Sequence, residues 1–174
     1  MPSPKQIKIA SLILLVVYVA VLIWLVLFKL TFTLSAVLDL QRRSLNLIPF
    51  AAPKMVNGQV SWGEMILNCV LFIPFGLLLN VNVKKARFSS KLLLILLFSL
   101  AAEVIQYSFA IGATDVTDLM TNTFGGYLGL KLYDLGKQYV RDTRLDAFIV
   151  AAGALLFVFF ITVHVSHFVL HPGR

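Results

Sequence analysis

The chain has 174 residues, of which 59% are apolar and 13% charged, with a mean hydropathy of +0.90. A soluble domain is about 45–50% apolar and about 25% charged, and a disordered chain needs low hydrophobicity, so both are excluded and the surplus apolar surface is expected to face lipid. Fifteen Lys and Arg against eight Asp and Glu give a net charge of +7, which in a membrane chain reads as an orientation signal rather than as a nucleic-acid surface.

Five apolar stretches approach the ~20 residues that a helix needs to cross ~30 Å of hydrocarbon. The first, 7–28, is longer than the ~7–15 residues of a signal-peptide core and has no A-x-A-like cleavage site after it, so it is expected to stay as an anchor. The long connection from 29 to 64 holds Pro49, Pro53 and Asn57-Gly58, read as turns, and apolar pieces (45–52, Trp62) read as interfacial. The second stretch, 65–81, contains Asn68, Cys69, Pro74 and Gly76. Pro74 should kink it, and Cys69, the single cysteine, reads as a small packing residue. The third, 92–110, is interrupted by Glu103 and Gln106. The fourth, 116–132, is the least apolar, with Asp118, Asn122, Gly125, Gly126 and Gly129. The fifth, 147–170, is clean until His164 and His167.

The expected architecture is therefore an all-α, polytopic membrane bundle of about five transmembrane helices, one domain over 1–174, with one long outer loop. With the N-terminus in the cytoplasm, the inner segments collect Lys5, Lys8, Lys84, Lys85, Arg87, Lys91, Lys131, Lys137, Arg141 and Arg144. The outer segments then hold Lys29, Arg42, Arg43, Lys54 and Arg174, and the positive-inside rule favours this direction.

Polar groups inside a membrane are expensive, so their placement is informative. Glu103 falls about 18 Å along the third span at 1.5 Å per residue, in the outer half of the bilayer, with Gln106 on the same face. Positions 115, 118, 122, 125 and 129 advance in steps of 3, 4, 3 and 4 and form one helix stripe, carboxylates and amide outermost and Gly125-x-x-x-Gly129 below. The glycines suit close helix packing, within the chain or between two copies. Asn68 enters the same outer layer from the second span, and the loop supplies Arg42, Arg43 and Asn46. The predicted cluster is thus Arg42, Arg43, Asn46, Asn68, Glu103, Gln106, Asp115, Asp118 and Asn122.

These residues carry a resemblance. Arg43-Ser-Leu-Asn46-Leu-Ile-Pro49-Phe50, then Asn68-x-x-Leu71-Phe72-x-Pro74-Phe75-Gly76, Glu103-x-x-Gln106 and Asp115-x-x-Asp118-x-x-x-Asn122-x-x-Gly125-x-x-x-Gly129 resemble the VanZ-like family over about residues 40–132. The resemblance implies a small multi-spanning protein of the bacterial cytoplasmic membrane, from a family whose founder is linked to resistance to the glycopeptide teicoplanin. One departure stands out: many members carry an arginine two residues before the first aspartate, and this chain has Ala113 there. Arg42 or Arg43 would have to stand in, or the site is altered.

Three roles stay open for the cluster: an ion-pair and hydrogen-bond network that pins the loop, a pocket for a ligand or lipid headgroup, and paired carboxylates for acid–base or Mg²⁺ and Ca²⁺ chemistry. The leading expectation is an envelope protein, not an enzyme, whose outward pocket lowers susceptibility to glycopeptides by binding drug or lipid-linked cell-wall precursor. The alternative is an intramembrane enzyme that modifies an outer-leaflet lipid or precursor. His164, His167 and His171 share a face at i, i+3, i+7, but Pro172 follows at once, so they read as interfacial residues. No metal, cofactor or nucleic acid is expected; the bilayer, a glycopeptide or lipid-linked cell-wall precursor, and a second copy of the chain in a homo-oligomer are the expected partners.

Overall fold

Every residue of a membrane helix must satisfy its backbone within the helix, so the apolar stretches fix where helices form. A computed structural model describes residues 3–27, 42–50, 55–56, 59–60 and 62–170. In chain order these give α1 (Pro4–Leu27), β1 (Arg42–Asn46), β2 (Met55–Val56), β3 (Gln59–Val60), α2 (Gly63–Asn82), α3 (Phe88–Phe109), β4 (Ile111–Asp115), α4 (Val116–Tyr139) and α5 (Asp142–Leu170). The fold is all-α, and each expected span falls on one of the five helices among the described residues. Among the described residues, α1, α2 and α3 are long and apolar enough to cross a membrane. In α4 the polar stripe lowers the hydropathy, and α4 continues past the expected end at 132 to Tyr139.

Burial is inverted relative to a soluble protein. Ile13, Val16, Ile66, Val104, Phe148 and Leu155 are exposed on the outside of the bundle, whereas Ser11, Asn80, Lys91, Ser99, Glu103, Gln106 and Asn122 are buried. Lipid covers the first set, and only other helices can satisfy the second. The apolar core is a small cluster around Leu22, Phe72, Phe75, Ile95 and Leu130, with Phe98 joining the two phenylalanines at ring separations of 6.0 and 5.1 Å.

The closest packing is α2 on α4, and glycine makes it possible. A Cβ on Gly125 would overlap the Cys69 carbonyl oxygen, one on Gly129 the Ile73 carbonyl oxygen, and one on Gly76 the Gly126 carbonyl oxygen. The Gly125-x-x-x-Gly129 face is therefore used within the chain, against the Cys69–Ile73–Gly76 ridge of α2.

α2 runs on through Pro74. A proline there leaves the Val70 carbonyl without its helical donor, and on the neighbouring position the Tyr18 hydroxyl donates to the Leu71 carbonyl at 2.5 Å, tying α1 to this weakened turn. Tyr18→Phe is expected to lower stability in detergent by about 0.6–1 kcal/mol, the worth of one such bond in a membrane bundle; thermal unfolding of the two proteins measures it.

The strands depart from expectation. The short connection between the third and fourth stretches is a strand, β4, which pairs in parallel with β1 in the register Arg42↔Ile111 to Asn46↔Asp115. Ala110, left-handed at φ 55°, ends α3 and turns the chain into β4. Strands of five residues in Arg42–Asn46 and Ile111–Asp115 are too short and irregular for a period-2 pattern to announce them. β2 and β3 pair antiparallel, Met55↔Val60 and Val56↔Gln59, and so bracket Asn57-Gly58. The turns expected at Asn57-Gly58 and Pro53 themselves lie outside the described residues.

Candidate functional site

Asp115 closes the N-terminus of α4. Its backbone is extended, and its Oδ1 accepts from the Thr117 amide at 2.7 Å, the hydrogen bond of an N-cap. Its Oδ2 accepts from Asn46 Nδ2 at 3.1 Å, across the last pair of the β1–β4 ladder. The Asp115 amide donates to Glu103 Oε2 at 3.1 Å, and the Thr114 hydroxyl donates to the Glu103 carbonyl at 3.2 Å. From the turn at 48–50, the Phe50 amide donates to Thr117 Oγ1 at 3.1 Å. The N-terminus of α4 is thus a clamp that holds the long loop and the end of α3 together.

A turn deeper, Asn68 Nδ2 donates to Asp118 Oδ1 at 2.8 Å, joining α2 to α4. Asn122 Nδ2 donates to Ser99 Oγ at 2.9 Å, joining α4 to α3. Gln106 Nε2 donates to the Val26 carbonyl at 2.9 Å, in the last described turn of α1, joining α3 to α1.

These side chains wall a cavity of about 90 Å³ among α1, α2, α3 and α4, which Glu64, Asn68, Glu103, Gln106, Asp118 and Asn122 line together with Leu25 and Leu71. Gln106 and Asn122 are fully buried, and Gln106 Oε1 and Asn122 Oδ1 have no hydrogen-bond partner among the described residues. The Gln106 amide nitrogen faces the α1 carbonyls of Val26 and Leu27, so its oxygen is the atom left over. Buried acceptors without donors cost about 1–3 kcal/mol each, and a cavity beside them is where a donor can enter.

The expected cluster is therefore divided. Asn68, Glu103, Gln106, Asp118 and Asn122 meet at the cavity. Asp115 and Asn46 belong to the clamp above it; Asp115 lines a separate apolar groove with Leu45, Leu100 and Leu119, and Glu103 stands between the two spaces. The backbone of Arg42 and Arg43 lies beside Ile111 and Gly112, next to Ala113, where the family pattern has its arginine. The side chains of Arg42 and Arg43, and those of His164, His167 and His171, lie outside the described residues. Among the described residues no group of three or more His, Cys, Asp or Glu side chains is placed to hold a metal ion. Sequence reasoning missed Ser99 and Thr117 as members. Ser99 was within reach of it, because 99, 103 and 106 continue one helix face in steps of 4 and 3.

A family model described as VanZ/LLP1 matches residues 15–137 of the chain. Protein VanZ of Enterococcus faecium is 50% identical over 151 residues, which are 87% of this chain and 90% of that protein. The chain belongs to the VanZ family. The matched region runs from the middle of α1 to the last turn of α4 and holds the cavity, the clamp and the glycine contact; α5 lies beyond it. Family membership and the apolar helices make this VanZ-family chain a membrane protein. No solved structure matches it.

Proposed function

We propose that this VanZ-family protein lowers the susceptibility of a bacterial cell to glycopeptides such as teicoplanin, acting from the outer face of the cytoplasmic membrane through the cavity among α1–α4. The observation that carries the reading is the pair of buried amide oxygens, Gln106 Oε1 and Asn122 Oδ1, that have no hydrogen-bond partner among the described residues and stand in the wall of a polar cavity shared with Glu103 and Asp118. Such a wall selects a ligand rich in hydrogen-bond donors, and the hydroxyl and amide groups of a glycopeptide or a lipid-linked cell-wall precursor supply them. The excess of Lys and Arg at the other end of the bundle supports an N-terminus inside and a C-terminus outside, which turns the cavity outward. The β1–β4 ladder then acts as its lid. Asp115 is occupied as a helix cap, so paired-carboxylate chemistry would fall to Glu103 and Asp118 alone.

Teicoplanin susceptibility of cells carrying Glu103→Gln or Asp118→Asn tests this, alongside impermeant thiol labelling of cysteines placed at Leu47 and Arg141 in a Cys69→Ser background. Both substitutions keep shape and remove charge. A binding protein is expected to lose protection partially, by several-fold in inhibitory concentration, with labelling at 47 and not at 141. Full protection in both variants, or labelling at 141 alone, sinks the outward-pocket reading; complete loss in each single variant favours the enzyme.

A further inference from the structure

A second polar cavity, of about 150 Å³, lies at the opposite end of the bundle, where the last turn of α2, the first turn of α3 and the C-terminal half of α4 converge. Nothing in the reading above uses it. Its walls include Asn80, Lys84, Phe88, Lys91, Asp134 and Lys137, three cations to one carboxylate.

Lys91 is the residue that needs explaining. It is 7% exposed, and among the described residues its ammonium donates to one acceptor, the neutral Asn80 Oδ1. Asn80 is oriented for this, since its Nδ2 is committed to the Leu130 carbonyl at 3.0 Å and to Asp134 Oδ1 at 3.3 Å. An ammonium has three donors, so a buried cation is left with donor capacity at the wall of a polar space.

Asp134 acts on Lys91 through its charge while its Oδ1 takes the Asn80 amide, and the other carboxylates are engaged elsewhere. Asp146 is taken up by Lys84 at 2.5 Å and by the Tyr133 hydroxyl at 2.7 Å. Asp142 stands 3.7 Å from Lys84 and 4.0 Å from Lys137. Lys131 lies over the Phe88 ring, 5.0 Å from its centre, and adds a fourth cation at the rim. Within this group four lysines face three aspartates. The first turn of α3 also begins here without a side-chain cap, which leaves backbone N–H groups on the same side.

We propose that this cavity binds a phosphate group, held by Lys91 at its base and by Lys84 and Lys137 at its sides. Three ammonium groups from α3, the α2–α3 turn and α4 surround one space, and a tetrahedral anion with several acceptor oxygens answers all of them, with lysine acting as a point-charge phosphate ligand. The phosphate comes from a membrane lipid headgroup or from a free phosphate ion.

The full chain in neutral detergent tests this by its melting temperature at constant ionic strength. Sodium phosphate is compared with sodium chloride, and phosphatidylglycerol with phosphatidylcholine in mixed micelles. A rise of about 3–10 °C is expected at ten to a hundred times the dissociation constant. A rise with phosphate identifies the ion; a rise with phosphatidylglycerol alone identifies the headgroup. Lys91→Gln should abolish the rise, and the more exposed Lys137→Gln should at least halve it, which decides the matter if Lys91→Gln does not fold. Asp118→Asn, at the other end, should leave it unchanged. No rise with either anion, or an equal rise in the folded lysine variants, overturns the proposal.

Discussion

Gly125→Ala is expected to destabilise the protein by about 2 kcal/mol or more, although alanine favours an isolated helix over glycine by about 1 kcal/mol. The added Cβ meets the Cys69 carbonyl oxygen, which belongs to the α2 backbone and cannot rotate away. α2 and α4 must separate, and the separation reaches the Asn68–Asp118 hydrogen bond, because Asn68 precedes Cys69 directly in the chain. Gly129→Ala meets the Ile73 carbonyl in the same way. Gly136→Ala is the control, because its Cβ would meet only the flexible Leu145 side chain at 3.1 Å, and the gain in helix propensity should leave it neutral or slightly stabilising. Thermal unfolding of the three variants in one detergent measures the contrast. Equal stability of Gly125→Ala and Gly136→Ala would remove the in-chain role of the glycine face and return it to a contact between copies.

That contact shows where the sequence was legible and where it was not. Steps of 3 and 4 from Asp115 to Gly129 fixed one face of α4, because helix geometry alone relates those positions. What the face packs against is a long-range matter. Gly125 gives no sign that its partner is Cys69, nor does Gly129 point to Ile73, and these depend on how α2 and α4 approach. The polar residues were equally visible as a set, since Glu103, Gln106 and Asn122 stand out in apolar runs. Their division into a cavity and a clamp was not, because it turns on the β1–β4 ladder, and neither Arg42–Asn46 nor Ile111–Asp115 carries a strand pattern long enough to read. Lys91 was hidden for a different reason: at the edge of a span, a lysine counts as an orientation signal, and only the fold reveals that it is buried.

Asp115 is where that division has its sharpest consequence. As a carboxylate beside Glu103 and Asp118 it invites a chemical role, yet its oxygens are committed to the Thr117 amide and to Asn46. Asp115→Ala is expected to lose the cap, worth about 1 kcal/mol, and the charge-assisted bond to Asn46, worth about 1.5–3 kcal/mol. The loss should appear as faster hydrogen exchange in 42–46 and 111–115, because the clamp and the ladder share the Asn46↔Asp115 pair. Asparagine caps helices as well as aspartate does, so Asp115→Asn should keep the Thr117 bond and turn its amide nitrogen toward Asn46, costing about half as much as alanine. The two variants separate a positioning role from a chemical one. If protection against teicoplanin falls in step with exchange at 42–46, Asp115 acts by holding the lid. If Asp115→Asn abolishes protection while exchange stays at the wild-type rate, the carboxylate itself meets the ligand, and the wall of the proposed pocket extends up into the clamp.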